Sequence, residues 1–170
     1  MTQTRTLAAD ASPFPRLDEA RLYLATAALV LGNVLLPWVL HRVPDGGRMF
    51  LPLFFFTLIA GWRFGAKAGL LTGVLSPLAN HVLTGLPPIA ALQGLMLQSA
   101  LLGLLAALAA RRFKPTWGPL AAVVLIHQSL LLLPAPAGAL ATLRLHLPAI
   151  LLQVLGGYAV FRFALPPHEA

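Results

Sequence analysis

The 170-residue chain has no cysteine and few charged residues. The absence of cysteine excludes disulfide bonds and metal sites built from thiolates. Charged residues make up 10% of the chain, whereas soluble domains contain about 25%. Hydrophobic residues account for 58%, so there is little polar material to cover a solvated surface. The composition therefore predicts an integral membrane protein.

Acidic residues are the scarcer charged class, and none lies within an apolar run: Asp10, Asp18, Glu19, Asp45 and Glu169. Proton- or cation-driven transporters commonly use carboxylates inside the membrane, so this absence argues against a self-powered carrier. The chain also lacks a GxxxxGK[ST] motif and therefore carries no P-loop ATPase. Any uphill transport would take its energy from a partner.

The motifs of an intramembrane hydrolase are absent as well. There is no GxSxG elbow in the chain. Ser76 and His81 are five residues apart, which separates them by about 140° on a helix. No acidic residue is placed to orient a histidine base. We therefore expect neither an enzyme nor a cofactor.

The histidines raise the question of a metal site: His41, His81, His127, His146 and His168. The chain has no HxxxH spacing and no carboxylate within an apolar run. Histidine-based metal sites are commonly built from such patterns. We therefore predict no metal site.

Six apolar runs divide the chain, at residues 22–40, 49–62, 66–84, 89–110, 117–133 and 145–165. The second is shorter than the roughly 20 residues that a spanning helix needs, so it either begins near Gly46 or is partly sheltered by protein. The runs predict an all-α integral membrane protein, a compact bundle of six transmembrane helices over residues 21–165. Residues 1–20 are then a cytoplasmic N-terminal segment and residues 166–170 a cytoplasmic tail.

Lysine and arginine fall unequally on the two sides of this bundle. The side of the N-terminus holds nine: Arg5, Arg16, Arg21, Arg63, Lys67, Arg111, Arg112, Lys114 and Arg162. The other side holds three: Arg42, Arg48 and Arg144. Cytoplasmic loops carry such an excess, so both termini are predicted inside, in a multi-pass protein of the cell inner (plasma) membrane. Topology and the anionic lipid bilayer account for the net charge, and no nucleic acid partner is expected.

Three tryptophans lie near the ends of predicted segments: Trp38, Trp62 and Trp117. Tryptophan is enriched at both membrane–water interfaces. We therefore expect all three in interfacial belts, a prediction that does not depend on the charge count.

The third segment places small and polar residues on one helical face: Gly69, Gly73, Ser76, Asn80 and Thr84. Small residues four apart let helix backbones approach closely in lipid, so Gly69 and Gly73 are predicted helix-packing positions. Pro77 removes one backbone hydrogen bond and predicts a kink. Beyond it, Asn80 and His81 either line a binding cavity or bond neighbouring helices.

Further polar residues lie in the later segments. Gln93 and Gln98 point about 140° apart on a helix, so at most one faces a cavity. His146 and Gln153 share a face, and His127 is either a ligand-binding or a structural residue. The predicted substrate-binding set is His41, Arg48, Asn80, His81, Gln98, His127, His146 and Gln153. Its loop members either close over an anionic or heteroaromatic ligand or are ordinary interfacial residues.

Several features together point to a known family. They are six short helices, the sequence G-W-R-F-G-A-K-A-G-L-L-T-G-V-L-S-P-L at 61–78, the loop L-T-G-L-P-P at 83–88, and small residues in the first segment. In this combination, over residues 22–163, the chain resembles the substrate-binding S component of energy-coupling factor (ECF) vitamin transporters. The resemblance agrees with the missing energy-coupling residues.

The resemblance implies a mechanism. An S component binds a vitamin or similar micronutrient from outside, in a pocket formed by its later helices and outer loops. It docks on a transmembrane T component through small residues of the first helix, usually A-x-x-x-A. This chain has Ala28-Leu-Val-Leu-Gly32 there, with Ala25 on about the same side, so these three are the predicted docking residues. Two cytoplasmic ATPase subunits power reorientation of the S component.

The substrate does not follow from the resemblance. A mostly neutral pocket of Asn, Gln and His with an Arg at its lid suits a heterocyclic ring with a polar or anionic arm, such as a pterin or pyrimidine. Two alternatives stay open. One is a metal-ion-binding S component, and the other is a non-transporting membrane subunit that scaffolds a complex through its small-residue helix faces.

Overall fold

The computed structural model describes residues 17–40, 49–132 and 138–165, and all regular structure in these ranges is helical. The described helices are α1 (Leu17–Leu40), α2 (Phe55–Thr84), α3 (Ile89–Ala110), α4 (Trp117–Leu132) and α5 (Ala139–Ala164), with a short 3-10 turn at Pro52–Phe54. The prediction of an all-α protein is confirmed. The number of membrane crossings and the side on which the termini lie stay predictions.

Three of the described helices are long and apolar enough to cross a membrane, by length and composition: Glu19–Leu40, Ile89–Ala110 and Ala139–Ala164. The fourth helix, α4, is a shorter apolar helix. Large apolar side chains such as Leu24 and Leu97 project outward, 71% and 72% exposed. Such faces suit the hydrocarbon of a bilayer, and these helices are those of a membrane protein.

The second helix reverses direction at Gly65. This glycine has φ 84° and ψ −175°, a conformation that side chains with a Cβ rarely adopt. Gly61 and Gly69 lie close together on either side of it, because a Cβ built on Gly69 would lie 2.8 Å from the Cα of Gly61. The halves 55–64 and 66–84 therefore run side by side. The predicted kink at Pro77 is not where α2 breaks, since the non-helical φ/ψ falls at Gly65.

The first half of α2 lies at the centre of the bundle. Residues 57–62 are buried without interruption, and the side chains of Leu58 and Ile59 are 0% and 1% exposed. Neighbouring helices contribute Leu102, Leu120 and Phe161 to the same core cluster. A helix covered by protein on all sides need not match the bilayer thickness. This shelter is consistent with the shortness of the second apolar run, while a start near Gly46 lies outside the described residues.

The three tryptophans differ in how far their side chains are buried. Trp38 and Trp117 are 68% and 69% exposed, as interfacial residues would be. Trp62 is only 7% exposed, and its ring centroid lies 6.3 Å from that of Phe161. The expectation that Trp62 belongs to an interfacial belt is therefore wrong, because the residue ends a central helix rather than an outer one.

Glycines bring α2 and α3 into backbone contact. A Cβ on Gly61 would collide with the carbonyl oxygen of Gly103, and a Cβ on Gly103 would collide with the carbonyl oxygen of Gly69. One turn further along α2, a Cβ on Gly73 would lie 2.6 Å from the Cα of Ala100. Close approach of this kind maximises dispersion contacts between helices in an apolar medium. We call this contact, in which Gly61, Gly69 and Gly73 of α2 meet Ala100 and Gly103 of α3, the glycine seam.

Contacts between the helices place most of the described cations at one end of the bundle. Lys67 Nζ lies 3.9 Å from a Glu19 carboxylate oxygen and 4.9 Å from the centroid of the Tyr23 ring, so the start of α1 lies beside the turn at Gly65. The Trp62–Phe161 contact brings the end of α5 to the same level. This basic end carries Arg21, Arg63, Lys67, Arg111, Arg112, Lys114 and Arg162. Its placement on the cytoplasmic side stays a prediction.

The glycine seam predicts opposite effects for two identical substitutions in α3. Gly103→Ala places a methyl group on the backbone of Gly69, and we expect a loss of about 1–3 kcal/mol in the free energy of unfolding. Gly94→Ala meets nothing within 4 Å and should be neutral or stabilising by up to about 1 kcal/mol, because alanine is the better helix former. Unfolding in mild detergent measures both, and equal stabilities would contradict the seam.

Candidate functional site

A buried asparagine that the sequence reasoning missed ties three helical segments together. Asn33 of α1 is 0% exposed. Its Nδ2 donates to Thr57 Oγ1 at 3.1 Å and to Ser76 Oγ at 2.9 Å. Its Oδ1 accepts from the backbone N–H of Phe56 at 3.1 Å. The side chain thus joins α1 to both halves of α2. A lone amide inside an apolar run was the available signal.

The same hydrogen bonds extend to Asn80, one of the predicted substrate-binding residues. Its Nδ2 donates to the backbone oxygens of Asn33 and Ser76, each at 3.0 Å. On the other side, the hydroxyls of Thr57 and Ser99 lie 3.1 Å apart. We call these five residues the Asn33 network. Asn80 is 4% exposed, and its donor amide is committed to structural partners.

The predicted binding residue His81 also makes a local structural bond. Its Nδ1 lies 2.8 Å from the carbonyl oxygen of Pro87, and because a carbonyl only accepts, this nitrogen donates. Nearby, Thr84 Oγ1 donates to the carbonyl oxygen of Asn80 at 2.7 Å. These bonds fasten the turn that follows α2, where Gly85 has φ 73°.

Another group of polar residues lies where α4 meets α3 and α5. His127 of α4 is 0% exposed, and its Nε2 lies 3.0 Å from the carbonyl oxygen of Gln98. Because the carbonyl only accepts, Nε2 carries the proton, and Nδ1 of the neutral ring is an acceptor. That Nδ1 is buried and has no hydrogen-bond partner in the part of the chain that is described.

The neighbouring glutamine connects α4 to α5. Gln128 is 1% exposed, and its Oε1 lies 3.0 Å from His146 Nδ1, which donates to it. The Nε2 of Gln128 is buried and finds no partner among the described residues. Gln128 was not among the predicted binding residues, although it directly follows His127 in the sequence.

Gln153 is the most isolated of these side chains. It is 0% exposed, and neither its Nε2 nor its Oε1 is hydrogen-bonded within the described ranges. It lies in Leu152–Gly156, where α5 widens into a π-helical turn. Such turns are frequent at functional sites.

Contacts further along α5 fix the level of Gln153 in the bundle. A Cβ on Gly157 would lie 3.6 Å from Leu58 of the central helix. One turn earlier on α5, Gln153 is therefore level with Phe54, the residue one turn before Leu58. The ring of Phe54 meets that of His127 edge-on, with centroids 5.1 Å apart. His127 and Gln153 thus lie at the same depth, and we call His127, Gln128, His146 and Gln153 the His–Gln cluster.

The Asn33 network and the His–Gln cluster differ in how many of their buried polar atoms have hydrogen-bond partners. Leaving a buried polar atom without a partner costs about 1–3 kcal/mol, and native proteins contain few such atoms. Four of the six unpartnered atoms found in the described ranges belong to the His–Gln cluster, while the others are Arg63 Nε and Thr72 Oγ1. The cluster is therefore the candidate binding site. The described residues contain no group of three His, Asp or Glu side chains able to hold a metal ion.

The predicted docking residues of α1 do not share one environment. Ala28 is exposed, whereas Ala25 and Gly32 are half-buried. A Cβ on Gly32 would lie 2.8 Å from the ring of Phe56, so this glycine already packs against the central helix. Docking through this face stays a prediction. The predicted loop residues His41 and Arg48 lie outside the described residues.

The Asn33 network predicts a marked loss of stability when its central side chain is removed. Asn33→Ala deletes three hydrogen bonds, and since such bonds average about 0.6 kcal/mol within membranes, we expect a loss of about 2 kcal/mol in the free energy of unfolding. The control is Ser129→Ala, because among the described residues that exposed hydroxyl bonds only the Leu125 carbonyl of its own helix. Unfolding titrations in detergent compare the two, and an unchanged Asn33→Ala variant would be evidence against the network.

Comparison with known proteins adds no assignment. No protein-family model, no curated protein and no solved structure matches this chain.

Proposed function

We propose that this chain is the membrane-embedded substrate-binding subunit of an ATP-driven importer of the ECF type. In this proposal it binds a vitamin or similar micronutrient from outside and relies on a transmembrane T component and two cytoplasmic ATPase subunits for energy. The observation that carries the proposal is the set of buried, unpartnered polar atoms in the His–Gln cluster. Polar groups inside a membrane bundle are costly, and a ligand that bonds them removes that cost.

The unpartnered atoms also define the ligand's chemistry. The cluster offers two donors, the amide nitrogens of Gln128 and Gln153, and two acceptors, His127 Nδ1 and Gln153 Oε1. None of these three side chains is a carboxylate, lysine or arginine, so the recognised part of the ligand is uncharged. A planar ring edge that carries both an N–H and a carbonyl oxygen complements this arrangement. Pterins and pyrimidines have such edges, which agrees with the substrate class expected from the sequence.

Access to the cluster requires α4 and α5 to separate. The Gln128–His146 hydrogen bond joins these helices on the side of the cluster away from the basic end. A ligand that enters from the end of the bundle opposite the basic end meets this hydrogen bond first. One hydrogen bond of this type is worth about 1 kcal/mol, so ligand contacts can replace it. If the basic end is cytoplasmic, the entry lies outside, as uptake requires.

The alternatives make different demands on the same residues. A scaffold subunit needs no ligand, so the cluster's unpartnered atoms would have no use in it. A metal-ion-binding S component needs several convergent ligands, and the described residues do not supply a group of three. We therefore retain the uncharged heterocycle as the proposed substrate.

The proposal predicts that one substitution raises stability and abolishes binding. Gln153→Leu replaces an unsatisfied amide with an apolar side chain of similar size, so the free energy of unfolding should rise by about 1–3 kcal/mol. Affinity for the ligand should fall at least about tenfold, because two hydrogen bonds are lost. Thermal unfolding and calorimetric titration of the full chain against pterins, pyrimidines and related vitamins measure both quantities.

Gln93→Leu is the matched control, since Gln93 is exposed on α3 and should change neither quantity. If Gln153→Leu lowers stability and leaves ligand affinity intact, the glutamine is structural and the proposed site is wrong. If no compound binds the wild-type chain, the transport proposal gives way to the scaffold.

Partner docking predicts a second, separable effect. Ala28 is exposed on α1, and Ala28→Leu should reduce recovery of a multi-helix membrane partner and ATPases with the tagged chain from its native membranes. The reason is that a larger side chain prevents close helix approach. Ala90→Leu, an exposed alanine at the start of α3, is the control. Recovery of the same partners with both variants would place docking elsewhere.

A further inference from the structure

An apolar groove lies at the basic end, away from the His–Gln cluster. It has a volume of about 370 Å³ and runs between the last turns of α3 and the first turns of α4. Its lining is entirely apolar: Leu105, Ala109, Phe113, Gly118, Pro119, Ala122, Val123 and Ile126. The groove therefore offers no hydrogen-bonding side chain to an occupant.

Three cations are close in sequence to Phe113, which lines this groove. Arg111, Arg112 and Lys114 belong to the short link between α3 and α4, and all three are exposed. The ion pair found among the described residues joins Lys67 to Glu19, so none of the three is neutralised by a carboxylate there. Phe113 and Trp117, 58% and 69% exposed, flank the cations. Tryptophan is enriched at the level of lipid headgroups.

Distances along α3 and α4 show how far the groove extends from the cations. Leu105 precedes Arg111 by six residues, or about 9 Å along α3, and Ile126 follows Trp117 by nine residues, or about 13 Å along α4. The groove therefore extends from the headgroup level into the hydrocarbon region. A peptide segment lying there would leave its backbone groups without partners, because the lining is apolar. A hydrocarbon chain has no such groups.

We propose that this groove and its three cations form a site for one anionic phospholipid. One acyl chain occupies the groove between α3 and α4, and the phosphate lies among Arg111, Arg112 and Lys114. Guanidinium groups bind phosphate oxygens in pairs, and the lysine adds a point charge. The site is independent of the proposed transport function, because it shares no residue with the His–Gln cluster.

The test is native mass spectrometry of the full chain in mild detergent, with phosphatidylglycerol or phosphatidylcholine of identical acyl chains. We expect one phosphatidylglycerol to be retained far more strongly than phosphatidylcholine. Replacing the three cations together, Arg111→Gln with Arg112→Gln and Lys114→Gln, should lower its retention about a hundredfold, since each cation contributes roughly a factor of five. Ala122→Trp fills the groove and should lower retention of the lipid with the cations intact.

The matched control removes three other cations of the basic end, through Arg21→Gln, Lys67→Gln and Arg162→Gln. Retention in this control should stay near that of the wild type, and thermal unfolding checks that every variant is folded. Equal retention of the two lipids, or an equal loss in the control, would overturn the site. Displacement of the lipid by inorganic phosphate at equal concentration would also overturn it, because the acyl chain would then contribute nothing.

Discussion

Backbone contact among three glycines sets the arrangement of the other helices. With no side chains between Gly61, Gly69 and Gly103, the two halves of α2 and α3 lie as close as helices can. The first half of α2 is thereby enclosed, and α1, α4 and α5 pack against its remaining sides. An enclosed helix has no water to bond its polar groups. Every polar group that it carries inward needs a protein partner, and Asn33 supplies partners to Thr57 and Phe56.

The Asn33 network and the His–Gln cluster both border this enclosed helix, and they are adjacent to each other. Thr57 is hydrogen-bonded to the carbonyl oxygen of Leu53 and to the hydroxyl of Ser99. The sequence neighbours of these two partners, Phe54 and Gln98, contact His127. The Asn33 network is hydrogen-bonded throughout and ties α1, α2 and α3 together. His127, Gln128 and Gln153 carry donors and acceptors on α4 and α5 that have no partner within the described ranges. The bonded network thus lies beside two helices, α4 and α5, that the Gln128–His146 hydrogen bond joins.

The two ends of the bundle differ in charge as well as in polarity. The basic end combines exposed cations with an apolar groove, features that hold a protein at a lipid headgroup layer. The far end of α5 carries Arg144 alone among the described cations. In the proposed function, the bundle is held at the basic end and opens between α4 and α5 towards the other end, which suits one-sided entry of a ligand.

The amino-acid pattern predicted the membrane class, the apolar helices, the positions of Gly69 and Gly73 on a packing face, and the separation of cations, because these depend on local composition and helical period. It did not determine which polar residues are satisfied. Asn80 is bonded by a residue 47 positions away, whereas Gln153 finds no partner among the described residues, and both look alike in an apolar run. The inward position of Gly32 and the burial of Trp62 were likewise decided by tertiary structure. The reason is that hydrogen bonding and burial depend on which distant segments meet, and helical spacing carries no information about that.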